Sequence, residues 1–230
     1  MRLCRRLLAL AILALAGCAS RPLTPAETAF TATVQGPALD SAAVTVSKGA
    51  LIAGFPGSRK PRPYSTCRER IWPPETTKKV RWTVAGFALR DRLYVSQRKW
   101  RDDFLAGYPG TLPLTDAMFL AHELTHVWQW QHKDRTGYSA FRAASEHGES
   151  DDPYRFEITP GKAFLAYGYE QQAALVEEFV CCRALDPAGG RTERLHALLK
   201  PEFPGLARRS TAEDVRLPRP ETDIRGICAS

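Results

Sequence analysis

From Val80 to Ser96 apolar and polar positions alternate: Val80-Arg81-Trp82-Thr83-Val84, then Phe87-Ala88-Leu89, then Leu93-Tyr94-Val95. A period of two marks half-buried strands, so two or three strands are predicted here, with a tight turn at Arg90-Asp91-Arg92. After the Pro109-Gly110 turn the period lengthens. Thr115 can cap a helix from about Asp116 to Gln131. A second long helix is predicted after Pro160-Gly161, from about Ala163 to Leu185. It stops before Asp186-Pro187, because a residue preceding proline is pushed out of the helical region. A shorter helix covers about Thr192 to Leu199, and residues 54–75, rich in Gly, Pro and Arg, read as irregular loop. There are no internal repeats. Strands first and helices after predict an α+β fold rather than a wound parallel sheet.

The N-terminus reads differently. Arg2, Arg5 and Arg6 precede an apolar run from Leu7 to Ala16. That run is too short to span a bilayer and suits a signal peptide over residues 1–17. Leu15-Ala16-Gly17-Cys18 resembles the lipobox of bacterial lipoproteins, which implies cleavage before Cys18 and acylation of its thiol. Acyl chains anchor without a spanning helix, since each buried methylene contributes about 0.8 kcal/mol. Ala19 and Ser20 lack the aspartate that commonly retains such proteins at the inner membrane, so the expected location is the outer membrane, facing the periplasm. Residues 18–45 are small, polar and proline-punctuated, as a tether would be, leaving 46–230 as a single domain.

Composition narrows the classes. With 44% hydrophobic and 25% charged residues the chain is neither disordered nor polytopic. Its net charge of +7 drops to +4 once the three leader arginines go, and no run of Lys and Arg is interleaved with aromatics. Nucleic acid is therefore not an expected partner. Export also sets the fate of the cysteines. With Cys4 removed and Cys18 lipidated, Cys67, Cys181, Cys182 and Cys228 remain, enough for two disulfides. A vicinal Cys181–Cys182 bond is strained, so each of these two is expected to pair with Cys67 or Cys228. No Cys-x-x-Cys spacing favours a cysteine zinc site instead.

The first long helix contains His122-Glu123-Leu124-Thr125-His126. At about 100° per residue the two histidines lie about 40° apart and one turn apart along the axis, so both rings can reach one tetrahedral ion. Glu123 falls about 60° from His126, placed to meet a water that zinc acidifies toward a pKa of about 7. With five histidines and fourteen glutamates, chance alone gives about 0.007 such motifs in a chain of this length. A third ligand is still required. No His-x-x-Gly-x-x-His continuation follows, and His132, about 240° round from His126, should face away. The second long helix offers Glu170, Glu177 and Glu178. Glu170 and Glu177 share a face, with Ala173 and Ala174 between them small enough for close helix approach, whereas Glu178 fits a solvated acidic face best.

His-Glu-Leu-Thr-His-Val-Trp-Gln-Trp-Gln, followed some forty residues later by Tyr169-Glu170-Gln171-Gln172-Ala173, resembles a family of short bacterial zinc metallopeptidases. They lie on the gluzincin side of the zincins and are often labelled Vgr-related. The similarity covers about Val80 to Leu185. It implies His122, His126 and Glu170 as zinc ligands and Glu123 as catalytic base. It also implies a minimal zincin-like domain: a small sheet with an edge strand before the motif helix, for which Arg92-Leu93-Tyr94-Val95-Ser96 is the candidate, and a second ligand helix downstream. Such an edge would hold an extended peptide by backbone pairing. The chain departs from the family in its lipobox, its cysteines and the 43 residues between His126 and Glu170. That insert carries Tyr138, His147, Tyr154 and Tyr167, any of which could stabilise an oxyanion.

The expected function is thus a membrane-anchored periplasmic zinc peptidase acting on envelope proteins or peptides, with lipidated Cys18 as its membrane contact. Two alternatives share the scaffold: a catalytically silent binding lipoprotein, disfavoured by the intact Glu123, and a zinc amidase acting on peptidoglycan stem peptides. Trp128 and Trp130 could line a groove, but at i, i+2 they point to two faces and at least one belongs to the core.

Overall fold

The computed structural model describes residues 20–49 and 56–229. Residues 1–17, expected to be a signal peptide, and Cys18 lie outside the described residues. The fold is α+β. A four-stranded sheet has the order β1 (Ser20–Pro22), β2 (Thr45–Lys48), β6 (Arg92–Val95), β5 (Gly86–Leu89). β2 and β6 run parallel, and the other neighbours antiparallel. Two smaller pairs flank it: an antiparallel ribbon of β3 (Pro56–Arg59) with β4 (Val80–Thr83), and parallel β7 (Thr111–Pro113) with β8 (Asp214–Arg216).

The predicted hairpin forms at β5–β6, where Arg90 takes a left-handed φ of 56°. Of its two strands, however, the one at the sheet edge is β5. The expected edge strand, Arg92–Ser96, is paired on both sides by β2 and β5. The reason is β2: its Val46 and Ser47 are buried and pair parallel with Leu93 and Tyr94, which occupies the flank of β6 that a substrate would need. The tether expected over 18–45 is likewise folded from Ser20 onward. β1 extends the sheet, and Thr24 caps α1 (Pro25–Ala32) in a reciprocal capping box with Glu27. Phe30 and Val34 carry no exposed surface, so this segment is part of the core. In the expected loop 54–75, the ribbon strand β3 and the single-turn helix α2 (Cys67–Arg70) appear.

The two long helices are α3 (Leu114–Gln131) and α6 (Tyr169–Leu185), joined through the short helices α4 (Lys133–Thr136) and α5 (Ala140–Glu149). α6 starts six residues later than predicted, the preceding turn being 3₁₀ at Phe164–Ala166. Leu120, Leu124 and Val127 of α3 and Leu175, Val176 and Phe179 of α6 are fully buried. Ala173 and Ala174 are too, as close helix packing needs. α3 also lies along β5, where Gly86 is obligatory: a Cβ there would sit 2.9 Å from the Phe119 ring. None of the described helices is long and apolar enough to cross a membrane.

Two disulfides brace α6. Cys67–Cys181 joins it to α2, and Cys182–Cys228 joins it to the C-terminal tail. The adjacent cysteines thus pair outward, as their vicinity predicts. The tail runs so close to the start of α7 (Gly190–Leu199) that a Cβ on Gly189 would meet the Cys228 carbonyl at 2.2 Å. Arg183 lies on α6 beyond the bridges, buried without a carboxylate partner. It donates to the Thr33 carbonyl at 2.7 Å, the Thr33 hydroxyl at 3.0 Å and the Ala207 carbonyl at 3.3 Å, which secures the C-terminal end of α1. Burial pushes its pKa down to about 10.

Candidate metal centre

α3 projects His122 and His126 toward the first turn of α6, where Glu170 meets both. Glu170 Oε2 lies 3.4 Å from His122 Nε2 and 3.3 Å from His126 Nε2. All three side chains are buried or nearly so, and their ligand atoms lie within 4.8 Å of one another. A tetrahedral ion with bonds of about 2.0–2.2 Å would space neighbouring ligand atoms by about 3.3–3.6 Å, the range in which both Glu170–histidine spacings fall. Glu170 Oε2 has no hydrogen-bond partner although it is buried. A buried carboxylate oxygen whose only neighbours are two imidazole nitrogens beyond good hydrogen-bond geometry is poorly satisfied, and a divalent cation held between the three would satisfy it. His122, His126 and Glu170 therefore fit a metal ion. Two nitrogens and a carboxylate are a donor set that suits zinc.

Each histidine is fixed from behind, by different means. His126 Nδ1 donates to Gln129 Oε1 at 2.8 Å, which leaves Nε2 free to coordinate. Gln129 in turn donates to Gln172 Oε1 and the Tyr169 carbonyl, and Gln172 donates to the Tyr167 carbonyl. His122 Nδ1 instead faces Glu177 Oε2 at 3.3 Å, and that same oxygen accepts from Arg68 at 3.2 Å. Glu177 thus stands on the far side of the ring from Glu170 and does not join the ligand cluster. Glu178, expected on a solvated face, is fully buried. It accepts from the Cys67 and Arg68 backbone N–H groups at 2.9 and 3.1 Å and pairs with Arg191 at 2.6 Å. The approach of α2 to this face of α6 is what a helical wheel cannot show.

The electrostatics follow from this packing. Burial pushes the His122 ring down, but the Glu170 and Glu177 carboxylates outweigh it and raise its pKa to about 10. His126 is lowered by burial and raised, on balance, by Glu170. Glu170 is held well below the usual carboxylate range by the two rings despite its burial. Glu123 goes the other way: burial raises its carboxyl, and the neighbouring rings only partly offset this. A base whose pKa is raised toward neutrality is suited to accept and return a proton.

Glu123 and His122 open onto a cleft of about 530 Å³ walled by β5 and the β3–β4 ribbon on one side and the 147–154 segment on another. Trp82 stands over Gly57 across the ribbon, where a Cβ would strike the indole at 2.3 Å. Arg62 closes the rim by a bidentate pair with Asp152 at 2.6 and 2.8 Å. Of the four insert residues named as oxyanion candidates, Tyr154 and His147 line this cleft, 3.0 Å apart, and the Tyr154 ring lies 5.7 Å from that of His122. Tyr138 stacks on His126 instead, and the Tyr167 hydroxyl is taken up by Glu157 and Thr159. His132 turns away as expected, its ring against Trp128. Trp128 is core, and Trp130 packs beside Arg90 and Lys133 away from the cleft. The amides of Gln129 and Gln172 were not anticipated. Gln129, three residues past His126 and so on its face, was the available signal.

No family model matches the chain, and no curated protein matches it. Among solved structures it is similar to the effector domain of Pseudomonas aeruginosa VgrG2b, with 21% identity over 82% of this chain and 84% of that one. The TM-score is 0.46.

Proposed function

We propose that the chain is a zincin-like zinc peptidase of the bacterial cell envelope, anchored through Cys18 and acting on proteins or peptides there. The observation that carries this reading is the convergence of His122, His126 and the orphaned Glu170 oxygen beside a buried, unpartnered Glu123 at the base of a cleft. Zinc, when held by those three residues, supplies a Lewis acid that polarises a carbonyl and acidifies water. Glu123 takes the proton of the attacking water and returns it to the leaving nitrogen. The Tyr154 hydroxyl, held by His147, donates to the oxygen on which charge develops. The edge of β5, unpaired among the described residues, offers backbone groups to an extended substrate, in the role that Arg92–Ser96 was expected to fill.

The test is hydrolysis of unstructured protein by the zinc-loaded chain beside its Glu123→Gln variant. Cleavage by the wild type that the variant loses by a factor on the order of 10²–10⁴, with zinc retained, supports the peptidase reading. Bound zinc with no cleavage of protein or of peptidoglycan stem peptides overturns it in favour of a binding scaffold.

A further inference from the structure

Arg68 comes from a helix of one turn, far from the motif in sequence, yet its side chain is only 6% exposed and touches both sides of the candidate site. One guanidinium nitrogen meets Glu177 Oε2, the oxygen that backs His122, and another donates to the Tyr154 carbonyl at 3.1 Å. Nε pairs with Glu69 at 3.1 Å. An isolated turn of four residues has no stability of its own. α2 is held to α6 by two devices, Glu178 capping its first N–H groups and Cys67 bonded to Cys181, and to the C-terminal tail by Arg70, which donates to the Ile227 carbonyl at 3.0 Å. Glu177, Glu178 and Cys181 therefore form one docking face for α2, and Arg68 is what that docking delivers.

We propose that Arg68 is a positioning residue of the metal centre and that the Cys67–Cys181 disulfide, by holding it in place, makes metal affinity depend on the oxidation of that cysteine pair. The proposal rests on the reading of His122, His126 and Glu170 as metal ligands. With Arg68 docked, Glu177 is kept on the Nδ1 side of His122, which fixes the ring so that Nε2 faces Glu170. Without it, Glu177 is a half-buried carboxylate whose remaining side-chain partner is the ring itself, free to swing and take the ring with it. Formation of the bond is ordinary thiol–disulfide exchange with a disulfide oxidant. One cysteine, as thiolate, attacks a sulfur of the oxidant, and the other displaces that sulfur from the mixed disulfide. The two cysteines thereby lose two electrons and two protons, and the oxidant leaves as a dithiol. A chain still in a reducing compartment would hold its metal weakly, and the same chain in an oxidising one would hold it firmly.

The second disulfide is an internal control. Cys182 is the next residue on α6 and Cys228 ties down the tail; Cys182 Sγ lies 3.8 Å from Glu178 Oε1, but neither cysteine hydrogen-bonds to Arg68, Glu177 or His122. Removing that bridge leaves Glu178 its Arg191 partner and its cap on α2. The experiment measures zinc affinity by chelator competition, the visible spectrum of the cobalt-substituted protein, and the melting temperature. It compares the full chain with Cys67→Ser/Cys181→Ser, Cys182→Ser/Cys228→Ser, Arg68→Gln and Arg68→Lys. Zinc affinity should fall about 10–100-fold in Cys67→Ser/Cys181→Ser and in Arg68→Gln, the cobalt bands should shift in both, and Arg68→Lys should recover part of the loss. Cys182→Ser/Cys228→Ser should lower the melting temperature and, acting on α2 only through the tail carbonyls that hold Arg70, cost several-fold less zinc affinity than loss of Cys67–Cys181. Equal losses of affinity in the two disulfide variants would overturn the proposal, as would an Arg68→Gln protein with unchanged affinity and spectrum. Should Cys67→Ser/Cys181→Ser fail to fold, the Arg68 variants, with both bridges intact, decide. A wild-type chain that takes up no zinc defeats the metal reading itself.

Discussion

His122 and His126 sit one turn apart on the same helix and face the same carboxylate oxygen, but they are supported in opposite ways. Behind His126 stands a relay of neutral amides, Gln129 and Gln172, that belongs entirely to the α3–α6 pair and the turn before it. Behind His122 stands a charged pair, Glu177 and Arg68, whose second member comes from a disulfide-tethered turn outside that pair. The difference teaches that the site has a built-in half and an imported half. The His126 half forms whenever the two helices pack. The His122 half forms only when α2 is docked as well.

What the halves share should respond to neither specifically. Leu124→Ala, in the core of α3 between the histidines, is expected to destabilise the whole domain by about 2–5 kcal/mol in denaturant unfolding. Zinc affinity of the folded fraction should not change; a selective loss on one half would break the comparison at its base. Glu177→Gln removes the charge behind His122 and should lower zinc affinity about 10–100-fold by chelator competition. Gln129→Leu removes only a neutral hydrogen bond, worth about 0.5–1.5 kcal/mol, so its loss of affinity should be a few-fold in the same assay. The reverse order would show that the amide relay, not the ion pair, carries the orientation.

The smallest effect concerns the rim of the imported half. Arg62 holds the Asp152 carboxyl below its ordinary value near 3.8, against the opposing effect of burial. A depressed folded-state pKa contributes stability that is present above the ordinary value and lost as pH falls through the lowered one. Acid unfolding of the wild type should therefore lose about 1 kcal/mol or less over that window, and Asp152→Asn should lack this component.

The same division governs what the sequence reveals. α3 is legible because His122, Glu123 and His126 impose a helical spacing that the apolar faces at Leu120, Leu124 and Val127 confirm. Ala173 and Ala174 mark the face of α6 that approaches α3 and so make Glu170 legible as one of two candidates; only the family resemblance separates it from Glu177. The outward pairing of Cys181 and Cys182 follows from the strain of a vicinal bond. The imported half is not legible, because nothing local to Arg68 or Glu178 records what packs on them: Glu178 has the look of a solvated carboxylate until α2 lies over it. The exchange of β6 for β5 at the sheet edge has a similar origin. Both strands of a hairpin alternate alike, and only the parallel pairing with β2, supplied by a segment whose prolines suggested a tether, decides which one is interior.

The central claim is that Glu170 completes the metal site and that Glu177 supports it from behind. Zinc content after reconstitution with excess zinc tests this most directly, in the wild type, Glu170→Gln and Glu177→Gln. Near one zinc per chain in the wild type and in Glu177→Gln, with loss in Glu170→Gln, is the predicted result. Loss in Glu177→Gln with retention in Glu170→Gln, or no zinc in the wild type, would contradict it.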